Sequence, residues 1–151
     1  HVLNMYTRYM ILRYFNEIPM PNAFEYLNNL FKTQSEYVPC LDQEIIVEYF
    51  KRGIKYKEIC WKKGLKHCTT GPAEVVYYDN GRRYYESYYL ENLLDRKSGP
   101  ALIAYSENGT LIKESWYKEN MLHNENGPAI ITYNCDGQVV SQQFFVNNYK
   151  I

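Results

Sequence analysis

The sequence has no long apolar run, no excess of either charge and no motif of a known catalytic or metal site. No segment approaches the ~20 apolar residues that a membrane span needs. Polar residues interrupt the apolar positions near the start of the chain, so we expect no signal peptide there. Lys plus Arg and Asp plus Glu both number 17, so no overall field attracts nucleic acid. The sequence therefore predicts a non-enzymatic protein without a cofactor.

Aromatic residues are abundant instead. The chain of 151 residues contains 17 tyrosines, six phenylalanines and two tryptophans. Aromatic side chains favour pleated, half-buried surfaces, so this composition indicates sheet. Tyrosine also suits a surface that contacts other proteins.

A repeat of 28 residues organises most of the chain. Gly-Pro-Ala begins at Gly71, Gly99 and Gly127, and several other positions return at the same interval. We therefore predict four copies, at about 43–70, 71–98, 99–126 and 127–151. The other series are the turn glycines Gly53, Gly81, Gly109 and Gly137, the tyrosines Tyr49, Tyr77, Tyr105 and Tyr133, the carboxylates Glu58, Glu86 and Glu114, and the second-turn residues Gly64, Asn92, Asn120 and Asn148.

Each copy has the pattern of a β-hairpin. In the second copy, alternation places Ala73, Val75 and Tyr77 on one face, which we assign to the core because the same positions are apolar in every copy. Asn80-Gly81 then predicts a tight turn, followed by a second strand over about 82–90. The predicted fold is mainly β, an elongated antiparallel hairpin array.

Residues 1–40 do not fit the repeat, and we predict a short α-helical cap. One helix is expected from about Met5 to Phe15, and another begins at Asn22 with apolar residues along one side up to Phe31. Such a cap would cover the open edge or a face of the first repeat.

Two surfaces are candidate contact sites. One is a row of aromatic residues in equivalent positions of the four copies, expected to contact another protein. The other is a cluster of basic residues in the first copy, which could contact an anionic surface or could simply be a solvated edge. The aromatic row is Trp61, Tyr89, Tyr117 and Phe145, and the basic patch is Lys51, Arg52, Lys55, Lys57, Lys62, Lys63 and Lys66.

The ionisable series do not predict a metal or catalytic site. Equivalent positions in successive hairpins are roughly 10 Å apart, because strands are spaced by ~4.8 Å. His67, Asp95 and His123 are therefore too far apart to bind one zinc ion, and we interpret them as surface-turn residues. The repeated glutamates are interpreted as solvated sheet residues.

The four cysteines show no Cys-x-x-Cys pairing. Cys40 and Cys68 share a phase of the repeat, but equivalent positions are too distant for a disulfide. We predict free thiols in an intracellular, reducing compartment, with Cys60 packing where other copies have an aromatic residue.

The unit Gly-Pro-Ala-x-x-x-Tyr-x-x-Asn-Gly, then Tyr-Tyr-x-x-Asn, then Leu122-His123 before the next Gly-Pro-Ala, resembles a MORN-type repeat. It is most similar to the variant repeats ending in Leu-His that are abundant in large DNA viruses of amoebae. The resemblance covers about residues 43–151, although the period of 28 and the missing Gly-x-Gly ending depart from the usual MORN pattern.

The resemblance implies an elongated single-layer sheet that acts in protein contacts. We therefore expect a structural or protein-interaction repeat protein whose partners are other proteins, and a virion or minor capsid component if the viral resemblance holds. Two alternatives stay open: a membrane-associated scaffold that uses the basic patch, and an adaptor whose first forty residues resemble an F-box helix pair. No nucleic-acid partner is expected.

Overall fold

The computed structural model describes residues 31–38, 42–50 and 53–151, and this part of the chain is built from β-strands. The predicted mainly-β class is confirmed. The strands are β1 (Phe31–Val38), β2 (Gln43–Phe50), β3 (Lys55–Lys62), β4 (Leu65–Lys66), β5 (Glu74–Tyr77), β6 (Arg83–Ser87), β7 (Tyr89–Leu90), β8 (Leu93–Leu94), β9 (Leu102–Tyr105), β10 (Leu111–Ser115), β11 (Tyr117–Lys118), β12 (Met121–Leu122), β13 (Ile130–Tyr133), β14 (Val139–Gln143), β15 (Phe145–Val146) and β16 (Tyr149–Lys150).

One antiparallel sheet runs through the repeats. Its order is β1-β2-β3-β5-β6-β9-β10-β13-β14, and β4 pairs with the end of β3. At ~4.8 Å per strand this path spans about 40 Å. The remaining strands form three separate two-stranded ribbons, β7–β8, β11–β12 and β15–β16. Each repeat thus adds two strands to the sheet and one short ribbon beside it.

The predicted Asn-Gly turns close the long hairpins. The Tyr78 N–H donates to the Arg82 carbonyl at 2.8 Å, and the Gly81 N–H donates to the Tyr78 carbonyl at 3.0 Å. Gly81 has a φ of +82°, so the loop is a type I turn followed by a left-handed residue. The register shifts between Val76 and Tyr77 because Tyr84 is an extra residue in β6: Val76 lies opposite Tyr85, and Tyr77 lies opposite Arg83.

The second strand of the hairpin is shorter than the predicted 82–90. β6 ends at Ser87, and the Tyr88 N–H donates to the Ala101 carbonyl of the next repeat at 2.8 Å. Glu91 and Asn92 then have φ values of +50° and +71°, which is the two-residue type I′ turn that joins β7 to β8. A strand that changes partners at Tyr88 cannot be recognised from alternation alone.

The most deeply buried apolar side chains lie on the predicted core face, and they are alanines. Ala73 is 1 % exposed, while Ala101 and Ala129 are both 0 % exposed. Val75 and Ile103 are buried on the same face, but Glu74 and Val76 on the opposite face of β5 are buried as well, so both faces of the sheet are covered in the second repeat.

The predicted helical cap is wrong for its last part. Phe31–Val38 is a strand that pairs antiparallel with β2, from Phe31 opposite Phe50 to Val38 opposite Gln43. The backbone hydrogen bonds of this eight-residue ladder decide its structure, whereas the apparent helical spacing ends at Phe31. The helices predicted over Met5 to Phe15 and from Asn22 lie outside the described residues.

Candidate functional site

Asparagines at the ribbon turns join each repeat to the preceding one. The Asn120 Oδ1 accepts the Leu94 N–H at 2.7 Å, and the Asn120 N–H donates to the Leu94 carbonyl at 3.0 Å. Asn92 bonds Lys66 in the same two ways, and Asn148 likewise bonds Leu122. These pairs of bonds, called the asparagine clasps below, fix the spacing of the ribbons.

Asp95 and His123, at equivalent positions of two repeats, also accept hydrogen bonds from the backbone of the next ribbon turn. The Asp95 Oδ2 accepts the Glu119 N–H at 3.0 Å, and the His123 Nδ1 accepts the Asn147 N–H at 3.3 Å. The interpretation as surface-turn residues is incomplete, because the His123 side chain is mostly buried and His67 has a buried Nδ1. The side chains of Asp95 and His123 bind turn backbone one repeat later, whereas the His67 Nδ1 atom has no hydrogen-bond partner among the described residues.

The prediction that the repeated glutamates are solvated is wrong for Glu86, whereas Glu58 and Glu114 are half-buried. Glu86 is only 5 % exposed. The Tyr77 hydroxyl donates to Glu58 at 2.9 Å, and the Tyr133 hydroxyl donates to Glu114 at 2.6 Å. The cause is the register, which sets each glutamate opposite a core residue such as Val75, so the carboxylate lies on the core face and must be hydrogen-bonded there.

Hydrogen bonding and burial change the acidity of these tyrosines. Burial, followed by the bond to Glu58, raises the pKa of Tyr77 to about 12. For Tyr133 the bond to Glu114 is the main cause, and it also raises the pKa to about 12. Both hydroxyls therefore stay protonated and keep donating at physiological pH.

The described lysines of the basic patch are partly neutralised within the chain. Lys57 lies 3.2 Å and Lys66 2.6 Å from the buried carboxylate of Glu74, and Lys55 is paired with Glu58. Lys63 is exposed and Lys62 is half-buried. Lys51 and Arg52 lie outside the described residues.

Glu74 is the centre of this arrangement. Burial alone would raise the pKa of Glu74, but the charges of Lys57 and Lys66 and hydrogen bonds from Lys66 and Tyr85 outweigh it, and the pKa lies below its usual value. The Tyr85 hydroxyl donates to Glu74 at 2.8 Å. Lys57 and Lys66 share this one carboxylate, so Glu74 offsets one of the positive charges that the membrane alternative would need.

The predicted aromatic row follows the ribbons. Trp61, Tyr89, Tyr117 and Phe145 are all half-buried. The Lys66 ammonium lies 4.5 Å from the centre of the Tyr89 ring, and burial raises the pKa of Tyr89. The row is thus partly used in packing within the chain, and only part of each side chain is exposed.

The most exposed apolar side chains of the described chain belong to the last repeat. These residues were not identified as a candidate site from the sequence. Val140 is 62 % exposed and Tyr149 is 77 % exposed, and Val139, Phe144 and Ile151 are exposed beside them. Within the described residues, β14 has a paired strand on one side only.

Two cysteines of the first repeat meet at a buried amide. The Oε1 atom of Gln43 accepts a hydrogen bond from the Cys60 thiol at 3.4 Å and from the Cys68 thiol at 3.8 Å. The Nε2 atom of Gln43 donates to the Thr69 hydroxyl at 2.5 Å. The sequence reasoning missed this cluster because it compared Cys68 only with Cys40.

A groove of about 650 Å³ lies between the loop that precedes the third repeat and the β11–β12 ribbon of that repeat. Its lining mixes both charges, with Arg96 and Lys118 beside Asp95 and Glu119. Arg96 is already held, because its guanidinium stacks on the Tyr88 ring at 3.7 Å and donates to the Pro100 carbonyl. The charged side chains that line the groove are of both signs, so the groove has no cluster of like charges that would favour a ligand of the opposite charge.

The described part of the chain contains neither a cluster of metal ligands nor a membrane-spanning helix. No group of three or more His, Cys, Asp or Glu side chains there is placed to hold a metal ion. None of the described residues forms a helix long and apolar enough to cross a membrane.

Comparison with known proteins gives no match. No protein family, curated protein or solved structure is significantly similar to this chain.

Proposed function

We propose that the chain is a non-enzymatic structural protein that binds another protein by pairing a strand with the outer edge of β14. The observation that carries the proposal is that the edge strand β14 contains two apolar side chains, Val139 and Val140, that are 51 % and 62 % exposed. Exposed apolar groups of this kind favour protein contacts, and an open strand edge is a template for a partner's strand.

The outer edge of β14 has the same backbone pattern as strands that are already paired. β6 and β10 occupy the equivalent place in earlier repeats and pair with β9 and β13. The Trp116 N–H donates outward to the Ala129 carbonyl, while the Ser115 carbonyl accepts inward from Ala101. By the alternation of a strand, the Gln142 N–H and C=O point to the outer side.

The side chains at this edge also differ from their equivalents. Leu111 and Ile112 are half-buried in the third repeat, whereas Val139 and Val140 at the same positions of the fourth are exposed. β13 pairs with Lys113–Ser115 of β10, and a strand laid along β14 in the same way would lie next to Val139 and Val140. In a large assembly, this would join the chain to a neighbouring subunit, and the resemblance to viral repeats favours a virion or minor capsid as that assembly.

Photo-cross-linking in the cells that make the protein tests the proposal. A benzophenone amino acid is placed at Val140, and in a second chain at Tyr84, the equivalent position two repeats earlier, which is also exposed. We expect a discrete protein adduct from position 140 and none from position 84. The adduct should disappear with Gln142→Pro, which removes an outward N–H, and persist with Gln142→Thr. Equal adducts at both positions, no adduct at 140, or an adduct that survives Gln142→Pro would contradict edge pairing.

A further inference from the structure

The thiols of Cys60 and Cys68 converge in the first repeat. Cys60 lies in β3 and is buried, and Cys68 follows β4 and is half-buried. Both thiols donate to the same oxygen of Gln43, the Cys60 thiol at 3.4 Å and the Cys68 thiol at 3.8 Å. Because both sulfur atoms contact one oxygen atom, they lie close together, and a disulfide between them needs them to approach to bonding distance.

The same contact recurs in the next repeat with different chemistry. Tyr88 and Arg96 occupy the phases of Cys60 and Cys68, since each lies 28 residues later. The Arg96 guanidinium lies 3.7 Å from the centre of the Tyr88 ring. In both the first and the second repeat, the loop after the ribbon therefore returns towards the equivalent sheet side chain.

We propose that Cys60 and Cys68 form a reversible disulfide in response to peroxide, so that the first repeat carries a redox modification site. This inference stands apart from the proposed function, because it concerns the opposite end of the described sheet from β14.

The chemistry divides between the two thiols. Burial would raise the pKa of Cys68, but hydrogen bonds from the Cys60 thiol, from Thr70 and from Gly71 lower it overall. Burial raises the pKa of Cys60 to about 12. Cys68 is therefore the better source of thiolate, and Cys60 is the thiol that resolves the first product.

The reaction balances with hydrogen peroxide as the oxidant. The Cys68 thiolate attacks one peroxide oxygen, the O–O bond breaks, and a Cys68 sulfenic acid and hydroxide form. The Cys60 sulfur then attacks the Cys68 sulfur and displaces that hydroxyl group, which takes the Cys60 proton and leaves as water. Two electrons pass from the two sulfurs to peroxide, and one S–S bond is formed.

Gln43 makes the disulfide reversible. A disulfide has no S–H group, so oxidation removes both thiol donors from the buried Gln43 oxygen. A buried acceptor that loses its donors destabilises the state in which this happens. The unpaired oxygen therefore raises the free energy of the oxidised form relative to the reduced form, which favours reduction by a cellular thiol pool.

Peptide mapping of the full chain tests the pairing. After peroxide treatment, alkylation and trypsin, a disulfide would join the peptide 58–62 to the peptide 67–82. We expect this linked pair, its loss on treatment with dithiothreitol, and its absence from Cys68→Ser; Cys135→Ser, at an exposed thiol, should leave it unchanged. Linkage of either cysteine to Cys40 or Cys135 instead, or no linkage, would overturn the proposal.

Gln43→Met tests the reversibility. Methionine fills similar space without the carbonyl acceptor, so oxidation would no longer leave that oxygen unpaired. In glutathione buffers, the equilibrium constant for the disulfide should rise on the order of tenfold relative to the unaltered chain. The Gln43–Thr69 bond is lost from both redox states and should cancel. An unchanged or lowered constant would contradict the role given to Gln43, and the mapping of the unaltered chain is independent of that variant.

Discussion

Asn120 binds Leu94 twice, through its side-chain oxygen at 2.7 Å and through its own N–H at 3.0 Å. The side chain and backbone of one turn residue thus replace the two bonds that a paired strand residue would make. Asn120 has a φ of +66°, a conformation that asparagine tolerates better than other residues with a Cβ. This combination explains why asparagine occupies that turn in the last three repeats.

Two substitutions of Asn120 should separate its role as a side-chain acceptor from its tolerance of a positive φ. Asn120→Ala loses the side-chain acceptor and strains the positive φ, so we expect a loss of ~2 kcal/mol in the free energy of unfolding. Asn120→Gly relieves the strain and should cost ~1 kcal/mol. Urea unfolding monitored by far-ultraviolet circular dichroism measures both. Equal stability of the alanine variant and the unaltered chain would contradict the clasp.

The tyrosine–glutamate bonds should appear in an alkaline titration. A tyrosine whose pKa is raised by folding contributes stability that is complete below pH 10 and is lost as pH rises towards about 12. We expect the phenolate absorbance near 295 nm to show a late phase that Tyr77→Phe and Tyr133→Phe each reduce.

Glu114→Gln and Glu58→Gln should then differ. The bond to Glu114 is the main cause of the raised pKa of Tyr133, whereas burial is the main cause for Tyr77. The late phase should therefore move to lower pH more in Glu114→Gln than in Glu58→Gln. The reverse order would show that the causes are wrongly assigned.

Glu74 should stabilise the second repeat through its charge. Its side chain is 7 % exposed and lies between Lys57 and Lys66, so Glu74→Gln leaves both ammonium groups without their partner. We expect a loss of ~3 kcal/mol at pH 7. Because folding lowers the pKa of Glu74, this contribution is present above pH 4.5 and disappears as pH falls further. Urea unfolding at pH 7 and pH 3 should show the difference between the two chains shrinking in acid.

The same variant examines the membrane alternative. If Glu74 neutralises the basic patch, Glu74→Gln should bind vesicles containing phosphatidylserine more strongly than the unaltered chain, and added salt should weaken that binding. Strong binding by the unaltered chain, equal to that of the variant, would instead support the patch as an anionic contact site.

The alanine row should resist enlargement. Ala101 is 0 % exposed, while Ile45 occupies the same phase in the first repeat and is half-buried. Ala101→Ile should therefore cost ~1–3 kcal/mol in unfolding free energy through overpacking. Ile45→Ala offers the matched comparison, since it removes volume from a less enclosed position. Tolerance of isoleucine at position 101 would show that the sheet face has spare room.

The sequence was sufficient for the repeat, its hairpins and the core face, because Gly81 and Val75 obey local rules of turn and alternation. It was insufficient wherever a residue depends on a partner in another repeat. Phe31–Val38 needs β2 to be recognised as a strand. Glu86 looks solvated until the register places it on the core face. The meeting of Cys60 with Cys68 depends on how a loop folds back, which periodicity does not encode.

Hydrogen–deuterium exchange at β14 tests the central claim, that the last repeat offers a strand edge to a partner. The chain is compared alone and in the complex recovered by cross-linking at Val140. We predict that the amides of Gln142 and Phe144 exchange quickly in the free chain and become protected in the complex, while those of β10 are protected in both. Protection confined to other surfaces, with Gln142 and Phe144 still exchanging quickly, would contradict the account.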